Sequence, residues 1–261
     1  MLVESIIMNS QTTSFTPQDI KDIFDSDKFK EFSRKSALIT LEEKIETGFV
    51  IARHLDTGEL WFPQDVKRGE KDRLYAIGEE VEIPDMGPDM YCVASLHWHP
   101  GFDLTPSPWD LFASYKLTTH NHGGVRSFPI MINGIVTSNN SALMLFYQHA
   151  SFPEDELEFE EQWKFILGNI DQLMRDFKNR PNLFSQKYHL PFNPNPRASK
   201  PDRIAEFKRA LPYIQAHKMR QTGYNAAILR LTPTGIHQRD LAQLEQFTFD
   251  IAPYEAEPAA N

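Results

Sequence analysis

Residues 91–99 read Tyr91-Cys92-Val93-Ala94-Ser95-Leu96-His97-Trp98-His99, and Pro100 closes the run. An apolar stretch that ends in two imidazoles spaced by one residue reads as a strand. Its period of two then turns His97 and His99 to one face of a sheet and Trp98 to the other. Pro100 suits the strand's end, because it cannot donate to a ladder. Residues 101–106 have the composition of a loop, and Ser107-Pro108 reads as a helix start with the serine as cap and the proline at the first helical position. Asp110 then falls in the first turn, where a negative charge is favoured. A rigid strand followed by a loop that can bring a carboxylate back to the same place yields the frame H-x-H-x7-S-x-x-D. Neutral imidazole and carboxylate are good zinc ligands. Three protein ligands with a fourth position left for water is the arrangement of a catalytic zinc rather than a structural one.

Upstream, Thr16-Pro17-Gln18-Asp19 is a helix start, and a helical region is expected from there to about Arg34. Residues 38–41, Thr47–His54 and 60–62 then read as strands, the last two joined by the hairpin signal Asp56-Thr57-Gly58. Residues 63–75 read as a polar loop, and 80–83 and 91–99 as further strands. Residues 108–117 form the helix carrying Asp110. Residues 128–136 and Ala142–Gln148, separated by Thr137-Ser138-Asn139-Asn140-Ser141, make a second hairpin. This order predicts an α/β fold, a sheet flanked by helices and ending near residue 150. Residues 1–30 form an N-terminal helical segment, 31–150 the sheet domain and 151–261 a helical C-terminal extension with a disordered tail after Pro253.

Within that extension Trp163, Ile166, Leu167, Ile170, Leu173, Met174 and Phe177 recur at three and four, which predicts one amphipathic helix. A proline-rich connection from His189 to Pro196 leads to a second helix with Ile204, Phe207, Leu211 and Ile214 on one face, kinked or ended at Pro212. The first stripe must bury itself on the sheet domain or against a second copy of the chain as a homodimer through this helix, the alternative being a docking surface for a partner.

Composition bounds the function. The chain has 261 residues, 41% of them hydrophobic, enough for a proper core. Its formal charge of -9 argues against nucleic-acid binding, where a basic surface is the usual footprint. The single cysteine, Cys92, cannot form an internal disulfide and reads as a small core residue. The sequence carries neither a signal-like h-region nor an apolar run of membrane-spanning length, so a soluble, cytoplasmic protein is expected.

The segment from His97 to Asp110 resembles the JAMM (JAB/MPN) family of zinc isopeptidases, whose pattern is an upstream glutamate followed by H-x-H-x7-S-x-x-D. The resemblance covers about residues 30–150. It implies the mixed-sheet, cytidine-deaminase-like fold, zinc held by His97, His99 and Asp110, Ser107 as an oxyanion donor and a glutamate as general base. The family sets that glutamate at the entry of a strand with nearby glycine, and Glu46-Thr47-Gly48-Phe49-Val50-Ile51-Ala52 is the stretch of that kind here. Glu46 is therefore the choice and Glu43 the fallback. The family's small hydroxyl between the histidines is replaced by Trp98.

The expected function is a zinc-dependent metallopeptidase. The resemblance implies a protein substrate cut at a peptide or isopeptide bond after the tail of a ubiquitin or ubiquitin-like protein. A catalytically silent MPN-type scaffold is the alternative. A nucleobase deaminase fares worse, because the H-x-E and P-C-x-x-C signature is missing. The second H-x-H, His120-Asn121-His122, has no acid or cysteine at ligand spacing and reads as a loop.

Overall fold

Thr16 opens the first helix with a reciprocal cap: its backbone N–H donates to Asp19 Oδ2 at 2.8 Å, and the Asp19 N–H donates back to Thr16 Oγ1 at 3.4 Å. The structure, a computed structural model, describes residues 13–54, 57–69, 90–101, 103–108, 110–112, 132–148, 156–247 and 249–251. Helix α1 spans Pro17–Asp25 and α2 spans Asp27–Glu43. The helical region expected from Thr16 to about Arg34 is made of two helices, the second running on to Glu43. Ser26 divides them, because its hydroxyl accepts the Phe29 N–H at 3.1 Å and caps α2. The expected strand at 38–41 is helical. Phe29, Phe32, Ser33, Ser36, Ala37, Ile39 and Thr40 are the buried positions of α2, and the helical spacing of all but Ile39 overrides an apolar run too short to choose its own period.

Strands β1 (Thr13–Phe15) and β10 (Phe249–Ile251) form a separate antiparallel pair. The main sheet holds β2 (Thr47–His54), β3 (Leu60–Trp61), β4 (Lys67–Arg68), β5 (Met90–His99), β6 (Ile132–Thr137), β7 (Ala142–Gln148), β8 (Tyr224–Thr232) and β9 (Gly235–Ile236). The order is β3-β2-β5-β6-β7-β8-β9, with β4 also paired to β2. The β5–β6 pair is parallel and the others are antiparallel, so the sheet is mixed. A parallel pair needs a long crossover. Here that crossover is residues 100–131, which carry Asp110.

The central strands are buried on both faces, and the strand period sends successive side chains to two layers. On one face Trp98, Val136, Leu143, Leu145, Ala227 and Leu229 pack with Ile20, Phe24, Phe29 and Phe32 of α1 and α2. On the other face Ile135, Met144, Phe146 and Ala226 pack with Leu104, Leu111, Phe159, Ile166, Ala216 and Met219. The helices supplying that second layer are α3 (Glu156–Leu167) and α6 (Lys200–Met219), and α4 (Ile170–Asn179) and α5 (Pro181–Tyr188) pack beyond them around Phe177, Phe184 and Phe207.

The C-terminal stretch differs from expectation in three ways. The helix predicted over Trp163 to Phe177 is broken at Gly168, which takes φ 69°, and Asn169 caps α4 by accepting the Gln172 N–H at 3.0 Å. Helix α6 does not end at Pro212 but continues to Met219. A proline costs an interior helix about 3 kcal/mol, and the buried Ala210, Ile214, Ala216 and Met219 around it hold the helix together. The third difference is the largest: the sheet does not stop near residue 150. Strand β8 lies antiparallel to β7 from Ala142↔Arg230 to Gln148↔Tyr224, so residues 151–261 supply a strand of the main sheet as well as helices. Ile166, Leu173 and Phe177 of the amphipathic stripe are buried inside the chain.

The expected strand at 80–83, the start of the one at 128–136, most of the helix at 108–117, the His120–His122 pair and the tail after Pro253 lie outside the described residues. Residues 108 and 110–112 are helical. No helix among the described residues is long and apolar enough to cross a membrane.

Candidate metal centre

His97 and His99 close strand β5 in the centre of the sheet, between β2 and β6. Both point to one face, and the Trp98 ring, fully buried, points to the other. In the antiparallel pairing with β2, Gly48 stands opposite His97 and Thr47 opposite Trp98. Continuing that register by one residue sets Glu46 opposite His99. Residues opposite one another share a face, so Glu46 enters the site, while Gly48 places no side chain beside the His97 ring.

The approach of Glu46 is fixed by its surroundings. Lys44 ends α2 in the left-handed conformation, φ 59°. The buried Thr47 hydroxyl then lies 2.8 Å from that of Thr40 and donates to the Ser36 carbonyl at 3.2 Å, tying the start of β2 to α2. The Glu46 carbonyl accepts the Gly69 N–H at 2.8 Å. Glu43, the fallback base, is turned away in an exposed ion pair with Arg68 at 2.6 Å.

Asp110 arrives from the crossover. The Ser107 N–H donates to Asp110 Oδ2 at 2.6 Å, and the Asp110 N–H donates to Ser107 Oγ at 3.2 Å. This reciprocal cap holds the carboxylate at the start of its helical turn, with its other oxygen free to face the histidines. The preceding loop is pinned to the end of β6, where the Ser138 N–H and hydroxyl donate to the Gly101 carbonyl at 3.0 and 2.6 Å.

Three donors therefore converge. His97 Nε2 lies 3.0 Å from His99 Nε2 and 3.1 Å from Asp110 Oδ1, and His99 Nε2 lies 3.8 Å from Asp110 Oδ2. One ligand atom from each of the three residues falls within 4.8 Å of the others. The set is compatible with a metal ion held between the three side chains. Glu46 Oε1 sits 3.7 Å from His99 Nε2, beside the three.

Protonation follows from burial and mutual charge. Burial disfavours a charge on His99, and His97 adds to that, so its pKa falls to about 4 and its ring is neutral near pH 7. Burial opposes the charged form of His97 too, but Asp110 and Glu46 outweigh it and raise its pKa. Burial likewise works against the Asp110 carboxylate, yet His97, His99 and the Ser107 N–H hold its pKa well below the usual range. Burial dominates at Glu46, and Asp110 adds to it against the opposing effect of His97, pushing that carboxyl up to about 7. Two nitrogen lone pairs facing one another at 3.0 Å require a proton or a cation between them. Together with an ionised carboxylate they are a donor set of the kind zinc takes.

One contributor was not read from the sequence. The Trp98 indole N–H donates to Asn140 Oδ1 at 2.6 Å, and the Asn140 amide donates to the Ser33 carbonyl at 3.1 Å. The Trp98 ring also stacks on Phe49, with centroids 5.2 Å apart at 23°. The residue between the two histidines is thereby locked to α2, to β2 and to the β6–β7 turn. The only sequence signal was the Asn139-Asn140 pair in a turn, where Asn140 takes φ 55°, and such pairs are common without any such contact.

No protein-family model matches the chain, and no curated protein matches it. The family resemblance rests on the H-x-H-x7-S-x-x-D frame and the upstream Glu46.

Proposed function

We propose that this protein is a JAMM-type zinc metallopeptidase with the corresponding JAB/MPN-like fold, hydrolysing a peptide or isopeptide bond. The observation that carries the reading is the convergence of His97, His99 and Asp110 from two separated elements, with Glu46 set beside them by the β2–β5 register. Zinc held by the two imidazoles and the Asp110 carboxylate would acidify a water and polarise the scissile carbonyl.

The chain's own groups account for the rest. Glu46, with its pKa near 7, can take a proton from the attacking water and later give it to the leaving amine, since a general base works best when its pKa lies near the operating pH. Asp110 and His99 remain in their ligand forms at that pH. Ser107 Oγ accepts the Asp110 N–H and keeps its own hydrogen, which is free to donate to the oxygen that becomes negative. The one cysteine is no rival nucleophile, because Cys92 is buried and its thiol is pushed up to about 12. The substrate class, a bond after the tail of a ubiquitin or ubiquitin-like protein, rests on the resemblance.

The test pairs metal analysis with cleavage of a panel of ubiquitin-like fusions. The wild type is expected to carry about one zinc per chain, and His97→Ala/His99→Ala none. Glu46→Gln should keep its zinc while turnover falls by about 10²- to 10⁴-fold. Full zinc occupancy in the double variant, or full turnover in Glu46→Gln, would sink the assignment.

A further inference from the structure

The face of the sheet opposite the metal centre carries a cleft of about 360 Å³ between α2, the β6–β7 turn and the β8–β9 turn. Its size lies within the range of small-molecule sites. Lys30 and Arg34 line it from α2, four residues apart and so on one helix face. In a chain with 36 acidic residues and 27 basic ones, no Asp or Glu is among the described residues lining this cleft.

The cations differ in how far they are committed. The Lys30 ammonium donates to the Asp25 carbonyl at 2.6 Å and lies 3.6 Å from Asp27, whose carboxylate is fully exposed and so screened by water. Asp25, the other nearby acid, is itself paired with Lys21. Arg34 has neither an ion pair nor a hydrogen bond among the described residues, although a guanidinium offers five donors in a fork suited to carboxylate or phosphate.

The turn adds a neutral donor. Asn140 uses its oxygen on Trp98 and one amide hydrogen on Ser33, which leaves the second hydrogen unused at the cleft wall. The remaining walls are largely apolar, with Phe29, Leu231 and Pro233 among them. Cations and an amide donor among apolar side chains suit a molecule having an anionic head and an apolar body.

We propose that this cleft binds a small organic anion, its carboxylate or phosphate held by Arg34 and Lys30 and its body lying against Phe29, Leu231 and Pro233. The site is separate from the metal centre and stands whether or not the peptidase reading does.

Calorimetric titration of the full-length protein with phenyl phosphate, and separately with inorganic phosphate, tests it. One phenyl phosphate should bind per chain, with inorganic phosphate at least about tenfold weaker for want of a body to bury. Arg34→Gln should weaken phenyl phosphate by about tenfold or more through loss of a charge-assisted pair. Arg34 is exposed, so the variant keeps its core. His97→Ala, across the sheet, should leave the affinity unchanged. The proposal is overturned by absence of saturable binding, by equal affinity for the two anions, or by unchanged affinity in Arg34→Gln. Loss of binding in His97→Ala alone would likewise overturn it, by placing the anion at the metal centre.

Discussion

Trp98→Phe isolates the lock behind the histidines, because it removes the indole N–H while keeping an aromatic ring on Phe49. In the wild type that N–H, on a buried ring, donates to the half-buried Asn140 Oδ1 at 2.6 Å. Without it the half-buried Asn140 oxygen exchanges its indole donor for water, a loss of about 1 kcal/mol. The smaller ring also leaves a void among Phe49, Phe32 and Val136, worth about another 1 kcal/mol. The expected loss is therefore about 2 kcal/mol, read as a lower urea midpoint by circular dichroism on the zinc-free chain. Asn140→Gly makes the second corner of a double-mutant cycle. Glycine tolerates the φ of 55° at that position, so the change removes the side chain without straining the turn. Because both variants break the same bond, the double variant should lose clearly less than the sum of the two. Zinc affinity, measured by chelator competition, should fall about tenfold in either single variant, as for residues that orient metal ligands without touching the metal. A Trp98→Phe chain within about 0.5 kcal/mol of wild type, or strictly additive losses, would refute the lock.

Two further predictions concern stability. The Glu46 carboxyl ionises at about 7 in the folded chain against 4.5 for the ordinary group. Between those values the folded state holds a proton that the unfolded chain has released. The stabilisation this confers is complete below pH 4.5 and is lost as pH rises through 7, by up to about 3 kcal/mol. Glu46→Gln should therefore match the metal-free wild type near pH 4 and exceed it at pH 8, and denaturation curves of parallel slope across that range would contradict the burial argument. Cutting the chain at residue 150 should abolish cooperative unfolding, because it strips β8 from β7 and removes Ala227, Leu229, Leu244 and Phe247 from the cluster that also buries Trp98. A soluble 1–150 fragment with a sharp thermal transition would show that the sheet domain closes without them.

Local chemistry was legible in the sequence, and long-range partnership was not. The strand ending in His97 and His99, the cap at Thr16 and the turn joining Ser107 to Asp110 depend on period and on residues within three or four positions of one another. Such signals survive without knowledge of the fold. The break at Gly168 and the cap at Ser26 were local too, but strong apolar periodicity on both sides masked them. Strand β8 could have been suspected from Ala226-Ala227-Ile228-Leu229 ahead of the Pro233–Gly235 turn. Its place beside β7, however, rests on pairing across more than seventy residues. The same holds at the metal centre. Three donors can be named from their spacing. Only the β2–β5 register sets Glu46 against His99 and leaves Glu43 in water, and only the closer approach of Asp110 to His97 separates the protonation of two buried histidines that are chemically alike in the sequence. Asn140 belongs wholly to the tertiary structure, since its partners Trp98 and Ser33 lie 42 and 107 residues away and meet it only once the helices close over the sheet.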